Sequence, residues 1–233
     1  KIFFNWSKDK DLNFIGKFVY ENVFKNYTIK QWGLKPEEID ASVTARVPIY
    51  ISNDSRYFQD KYQAIPIKGY TKLIENILNH KNITVQLNTD YKTLSQNEIK
   101  EFKAIFYTGA IDEYFDYQYG ELPYRSLKFD IMTIDKEYYQ KSVVTNYPND
   151  YDFTIITEHK YFLDEKSNKT IISVEYPHAF SLGENERYYP INNDKNDKLY
   201  NKYLRESKRL ENVYFFSRLG DYKYYNMDLR LYG

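Results

Sequence analysis

Between Tyr27 and Phe58 the chain reads YTIKQWGLKPEEIDASVTARVPIYISNDSRYF, a stretch that holds Tyr27, Trp32, Arg46, Arg56 and Tyr57. Flat rings stack on bases and guanidinium forks grip phosphate oxygens in pairs, so these residue types suit a nucleotide or another phosphorylated ligand. The segment is too irregular to be one helix or one strand. Chemistry performed by a protein nucleophile or a bound metal finds little support elsewhere. There is no cysteine, and His80, His159 and His178 are scattered, outside the spacing of metal ligands. The motifs GxSxG, the phosphate-binding loop and GxGxxG are absent from the sequence. Asp112, Glu113 and Asp116 bracket Tyr114 and Phe115, where a solvated loop accounts for them as well as acid–base work does.

Composition sets the frame for this surface. With 233 residues, 42% of them hydrophobic and 28% charged, the chain can bury one sizeable core or two small ones. The 33 Lys and Arg cancel the 33 Asp and Glu, so no global field favours nucleic acid or an acidic membrane, and phosphate recognition must be local. No run reaches the roughly 18 apolar residues of a membrane span, and the absence of cysteine is compatible with a cytoplasmic address. The 27 tyrosines accompany abundant Asn, Lys and Ile and read mostly as codon bias. A start at Lys1 and an end at Gly233 suggest a piece of something larger.

The elements that must position the rings follow from periodicity. Leu12, Ile15, Phe18, Val19 and Val23 predict a helix over 11–26, and Pro36 with acidic residues behind it predicts a short helix start. Tyr70, Leu73, Ile74, Ile77 and Leu78 predict a second helix, and the alternation of Ile83, Val85 and Leu87 predicts a half-buried strand. KAIFYTG (103–109) and 212–216 read as buried strands. Runs at 126–134, 142–146, 154–159 and 170–175 recur at hairpin spacing, the pattern of an antiparallel sheet. The clearest helix spans 194–210, capped by Asn193 or Asp194.

The order of the longer motifs is more specific than any one of them. YTIKQWG, ASVTARVP, DSRYF, KGYTKLIENIL, YTGAIDEYFDYQYGELPYRSL, ITEHKYF, VEYPHAF, RYYPI and RLGDYKYYNMD together resemble UDP-galactopyranose mutase from about Phe14 to Leu229. The resemblance covers the middle and C-terminal parts of that family; the N-terminal FAD fingerprint is missing. It implies an α+β fold: an antiparallel β-sheet substrate domain with helices, plus residual strands of an incomplete FAD-binding α/β domain. The implied boundaries are 1–60 for the end of a helical domain and a mobile substrate lid, 61–110 for a connecting helix and strands, 111–190 for the sheet domain, and 191–233 for a last helix and strand of the FAD-binding domain. KAIFYTG and NVYFFSRLG should then lack their partner strands.

The resemblance also implies a reaction. In the family, reduced flavin attacks the anomeric carbon of a UDP-sugar, UDP leaves, and the opened sugar recloses in the furanose form, the protein supplying position and charge complementarity. The implied cofactor is FAD and the implied partner a UDP-sugar, with no nucleic acid or membrane and with a homodimer compatible. The implied product is a galactofuranose donor for cell-surface polysaccharide. By motif, Phe24, Tyr27, Thr28 and Trp32 match uridine and mobile-loop positions, and Arg46 matches the lid arginine that closes on the diphosphate. Tyr57 and Asn146 match further substrate positions, and Arg125 an arginine beside the active site. Tyr189 and Tyr224 match tyrosines that reach the phosphates and sugar. Thr108, Gly109, Arg218, Tyr225, Asn226 and Met227 match the cofactor side. Trp32 and Arg46 are expected to be mobile. The departures are specific: Ile155 stands in place of a second diphosphate arginine, Ser217 in place of a glycine, Asn226 in place of an aspartate, and Val23 where phenylalanine is common. They leave open a divergent mutase for another nucleotide sugar, or a non-catalytic nucleotide-sugar-binding module.

Overall fold

Asp9, just ahead of the first apolar stripe, accepts hydrogen bonds from the amides of Asp11 and Leu12 and so starts the first helix, α1 (Lys10–Val19). The computed structural model describes residues 7–39, 53 and 60–225. The stripe of α1 does not end at Asn26. A π turn (Tyr20–Phe24) follows, closed by the Lys25 amide on the Tyr20 carbonyl, and α2 (Lys25–Trp32) continues the rod until Gly33 ends it at φ 66°. Tyr27 to Trp32, expected in an irregular segment, are therefore helical. The acidic residues behind Pro36 form a single 3-10 turn (Pro36–Glu38).

The sheet grows from one long hairpin-like pairing. β2 (Tyr124–Ile134) runs antiparallel to β5 (Thr170–Ala179) over ten paired positions, from Arg125 opposite Ala179 to Ile134 opposite Thr170. β4 (Ile155–Glu158) adds to the free edge of β5, and β3 (Val144–Asn146) to β4. On the far edge, β6 (Tyr189–Pro190) pairs with the start of β2, a short strand that periodicity had not marked. The order is β3-β4-β5-β2-β6. Because side chains alternate across a strand, Arg125, Leu127 and Phe129 share one face with Pro177, Glu175, Ile155 and Asn146, while Ile156, Ile172 and Val174 form a small apolar core on the other.

A second core lies at the β6 end, where Ile111, Leu122, Tyr124, Tyr203 and Tyr222 are all buried. It joins α5 (Ile111–Tyr114) to α6 (Asp194–Ser207), the helix capped by Asn193. The Tyr203 hydroxyl donates to the Gly120 carbonyl (2.6 Å) and accepts from the Tyr119 amide (3.0 Å). A buried phenol thus satisfies a turn as well as filling space.

Two strand expectations need correction. Ile83, Val85 and Leu87 form no strand, and all three are exposed, Leu87 at 77%. Their alternation has no neighbouring strand to pair with, and pairing is what turns such a pattern into a strand. The strands β1 (Ile105–Tyr107) and β7 (Val213–Phe215) are present, but they pair with each other in parallel rather than standing alone. They are also less buried than their composition implied: Phe106 and Tyr214 stack in solvent at 67% and 51% exposure. The helices α3 (Gly69–Leu78) and α4 (Gln96–Glu101) precede β1 in the chain, and α3 buries none of its apolar stripe. Among the described residues, no helix is long and apolar enough to cross a membrane.

Candidate functional site

Arg125 is the second residue of β2, and its direct cross-strand neighbour is Tyr189 of β6, so both side chains leave the same face of the sheet. The C-terminus of α2 meets them there. Arg125 Nε donates to the Gln31 carbonyl at 2.8 Å, one of the orphan carbonyls of a helix end, where a cation also complements the helix dipole. Gly33 permits this approach. A Cβ at that position would lie 3.2 Å from Arg125 Nη1, and the φ of 66° is one that glycine adopts freely.

From Arg125 a set of rings continues. Trp32 lies 5.8 Å from Tyr189, Tyr189 lies 5.2 Å from Tyr224, and the guanidinium of Arg218 sits 4.5 Å over the Tyr224 ring. Four segments far apart in the chain thus meet at one place. Arg125 is half-buried, and loss of water lowers its pKa. Among the described residues no carboxylate pairs with it, and its only side-chain hydrogen bond runs to a neutral carbonyl. A desolvated guanidinium without an acid is an anion receptor. Gln31, at 4% exposure, adds a side-chain oxygen with no hydrogen-bond partner among the described residues.

The other expected residues fall into four groups. Phe24 and Thr28 lie on the π turn and α2 at four-residue steps before Trp32, so Phe24 stands about 12 Å up the rod from Trp32. Thr28 is buried, and Tyr27 is half-buried beside it. Asn146 is exposed at the end of β3, apart from the Arg125 cluster, on the row that runs through Ile155 to Glu175. On the cofactor side, the Thr108 carbonyl accepts from Ser217, and the Tyr225 hydroxyl donates to Asp221 at 2.8 Å. Gly109 is faced by the Tyr107 phenol, whose oxygen would lie 2.6 Å from an added Cβ, so any side chain there would have to displace that ring. Arg46, Arg56, Tyr57, Asn226 and Met227 lie outside the described residues.

Two neighbours went unnoticed in the sequence. Lys30 reaches from α2 to the β3–β4 connection, donating to the carbonyls of Tyr147 (2.6 Å) and Phe153 (3.0 Å). Burial lowers its pKa, against the pull of Asp150 and Asp152. Lys30 was visible in YTIKQWG, but its partners are main-chain carbonyls distant in sequence, which leave no compositional trace. Lys30→Met is expected to lower unfolding stability by about 1–3 kcal/mol through the two abandoned carbonyls, read from urea denaturation. Glu175, the second, is buried directly opposite Ile155 and accepts from the Thr154 hydroxyl at 3.0 Å. Burial raises its pKa. Among the described residues no group of three or more His, Asp or Glu is placed to hold a metal ion.

Comparison with known proteins bears on this geometry. A family model described as UDP-galactopyranose mutase matches residues 22–224. A probable UDP-galactopyranose mutase of Klebsiella pneumoniae is 40% identical over 227 residues, covering 96% of this chain and 58% of its own. A dTDP-fucopyranose mutase of Escherichia coli is 36% identical, with 95% and 60% covered, and a UDP-galactopyranose mutase of Mycoplasma genitalium is 37% identical, with 91% and 56% covered. The chain therefore spans between 56% and 60% of the length of these relatives.

Proposed function

Because the chain belongs to the UDP-galactopyranose mutase family, we propose that it forms the nucleotide-sugar side of a flavin-dependent isomerase that interconverts the pyranose and furanose forms of a UDP-sugar. The observation that carries this reading is Arg125, a half-buried cation with no acid partner among the described residues, opposite Tyr189 on the neighbouring strand and bonded to the carbonyl of the residue before Trp32. A diphosphate would supply the missing charge, and the rings would supply apolar faces that exclude water from it.

The residues present also fit one edge of the cofactor. Arg218 is held over Tyr224 with no carboxylate partner among the described residues, a donor suited to an anionic or electron-rich group such as a flavin nucleotide. When bound, FAD supplies the nucleophile for the anomeric carbon. The side chains of this chain bind and orient. Arg125 offsets the diphosphate charge that grows as UDP departs, Tyr189 and Tyr224 line the path between that charge and the cofactor edge, and Trp32 closes the side nearest α2. On this reading the product is a galactofuranose donor for cell-surface polysaccharide, made in the cytoplasm.

The test uses the full-length protein with flavin bound and reduced, offered UDP-galactopyranose and dTDP-fucopyranose in separate reactions, with the furanose product separated by chromatography. Conversion of the UDP-sugar is the expected result, and a yellow flavin spectrum should accompany the purified protein. Preferential conversion of the dTDP-sugar would move the assignment to the second substrate. Conversion of neither, with reduced flavin present, would reject the enzyme reading.

A further inference from the structure

Ser217, two residues past the end of β7, has φ 112°, a backbone conformation that residues with a side chain rarely adopt and that is strained when they do. Its hydroxyl is fully used. Ser217 Oγ donates to the Thr108 carbonyl at 2.9 Å and accepts from the amides of Leu219 (3.2 Å) and Gly220 (3.3 Å). Its carbonyl accepts from the Asp221 amide at 2.8 Å, so the turn closes on itself. The crowding continues at Gly220, where a Cβ would lie 2.9 Å from the Phe216 nitrogen. One hydroxyl therefore ties the end of β1 to the turn after β7 and holds a shape that glycine would take without cost. The next residue is Arg218, whose guanidinium rests 4.5 Å over Tyr224, in turn 5.2 Å from Tyr189.

We propose that Ser217 is a positioning residue: its hydroxyl locks the left-handed turn after β7 and thereby sets Arg218 against Tyr224 at the ligand site. Alanine at this position keeps the backbone penalty and loses the three hydrogen bonds that offset it, so the turn relaxes and Arg218 leaves the ring. Glycine loses the same bonds but has no penalty to offset, so the turn and Arg218 stay. A serine that merely fills a surface turn predicts no difference between the two substitutions in anything but stability.

The experiment uses the full-length protein and has two readouts. In a crystal structure of Ser217→Ala, the Arg218 guanidinium is expected to move beyond cation–π distance of Tyr224, whereas in Ser217→Gly it remains in place. For binding, which rests on the cofactor reading above, FAD is titrated into the flavin-stripped protein and followed by flavin fluorescence. Ser217→Ala is expected to weaken FAD about tenfold, Ser217→Gly by less than about twofold, and Ser217→Ala in an Arg218→Ala background to add nothing further. An alanine variant that keeps Arg218 on Tyr224, or one whose affinity loss persists in full without Arg218, overturns the proposal. Failure of the wild type to bind FAD would retire the cofactor reading instead, and the position of Arg218 in the two crystal structures would still decide the role of Ser217.

Discussion

Arg125→Ala is expected to reduce kcat/KM of the full-length protein for its nucleotide sugar by roughly 30- to 150-fold, the equivalent of about 2–3 kcal/mol for one charge-assisted contact to phosphate. Stability should fall less. The substitution removes one hydrogen bond to the Gln31 carbonyl and a favourable charge at the end of α2, together worth about 1–2 kcal/mol. Arg125→Lys should recover little. The guanidinium spends its Nε on Gln31 and keeps both terminal nitrogens for an anion, while a single ammonium cannot serve both in that geometry. Steady-state kinetics beside a thermal melt separate the two effects. A variant that loses stability and activity in proportion would make Arg125 a packing residue and remove the main support for the ligand site.

Arg187→Ala should be the most damaging substitution for folding. The Arg187 side chain is only 12% exposed; it pairs with Glu113 at 3.1 Å, donates to the Tyr117 hydroxyl at 3.0 Å, and lies 4.6 Å over Phe180. Beside it stands Asp112, fully buried, whose Oδ2 accepts from the Leu122 amide at 2.8 Å. Burial raises the pKa of Asp112, and the charge of Arg187 works against that rise. Removing the guanidinium breaks the pair with Glu113 and leaves the buried Asp112 carboxylate with its main-chain hydrogen bonds alone, a loss of about 3–5 kcal/mol at neutral pH. The pH dependence has a definite sign. The folded-state pKa of Asp112 lies above its unfolded value of 3.8, so ionisation counts against the fold as pH rises through that value and the higher folded one. Without Arg187 this penalty grows, and the deficit of the variant should shrink as pH falls toward and below 3.8. Urea midpoints measured from neutral to acid pH would show it. A deficit independent of pH would mean that the loss is packing against Phe180 and Tyr124 alone.

What the sequence disclosed, and what it hid, divides along the range of the interactions. The sheet was legible because strand-like runs recur at hairpin spacing with Asn, Asp and Pro between them, and such signals are local. The helix from Asp194 was legible for the same reason, although it ends at Ser207 rather than 210 and the sequence left its cap open between Asn193 and Asp194. The strand at Tyr189 and Pro190 was not, because two residues hold no period and the element exists only where β2 offers an edge. Ile83, Val85 and Leu87 erred the other way, with a clean period and no edge to receive it. In the site, Trp32, Arg125, Tyr189, Tyr224 and Arg218 were named by resemblance, yet nothing local says that four distant segments converge. The clasp of Lys30 and the three bonds of Ser217 could not be read at all, since each runs to backbone atoms that every residue possesses. Ile155 stood out as a missing cation, and its neighbour across the strands gives the change a local meaning. An arginine there would face the buried Glu175, so its charge would have a claimant within the protein before any phosphate arrived.

The π turn at Tyr20–Phe24 works as a rotation stage. A five-residue hydrogen-bonded loop takes in one residue more than an α turn, which turns everything after it by roughly 100° about the rod. Phe14, Ile15 and Phe18 of α1 therefore point one way, into solvent, while Thr28 and Gln31 of α2 point another, into the protein. Removing one residue from 20–24 would leave every downstream side chain chemically intact and aim Trp32 away from Tyr189. The direction in which that indole faces is thus fixed about two turns upstream, by a single surplus residue.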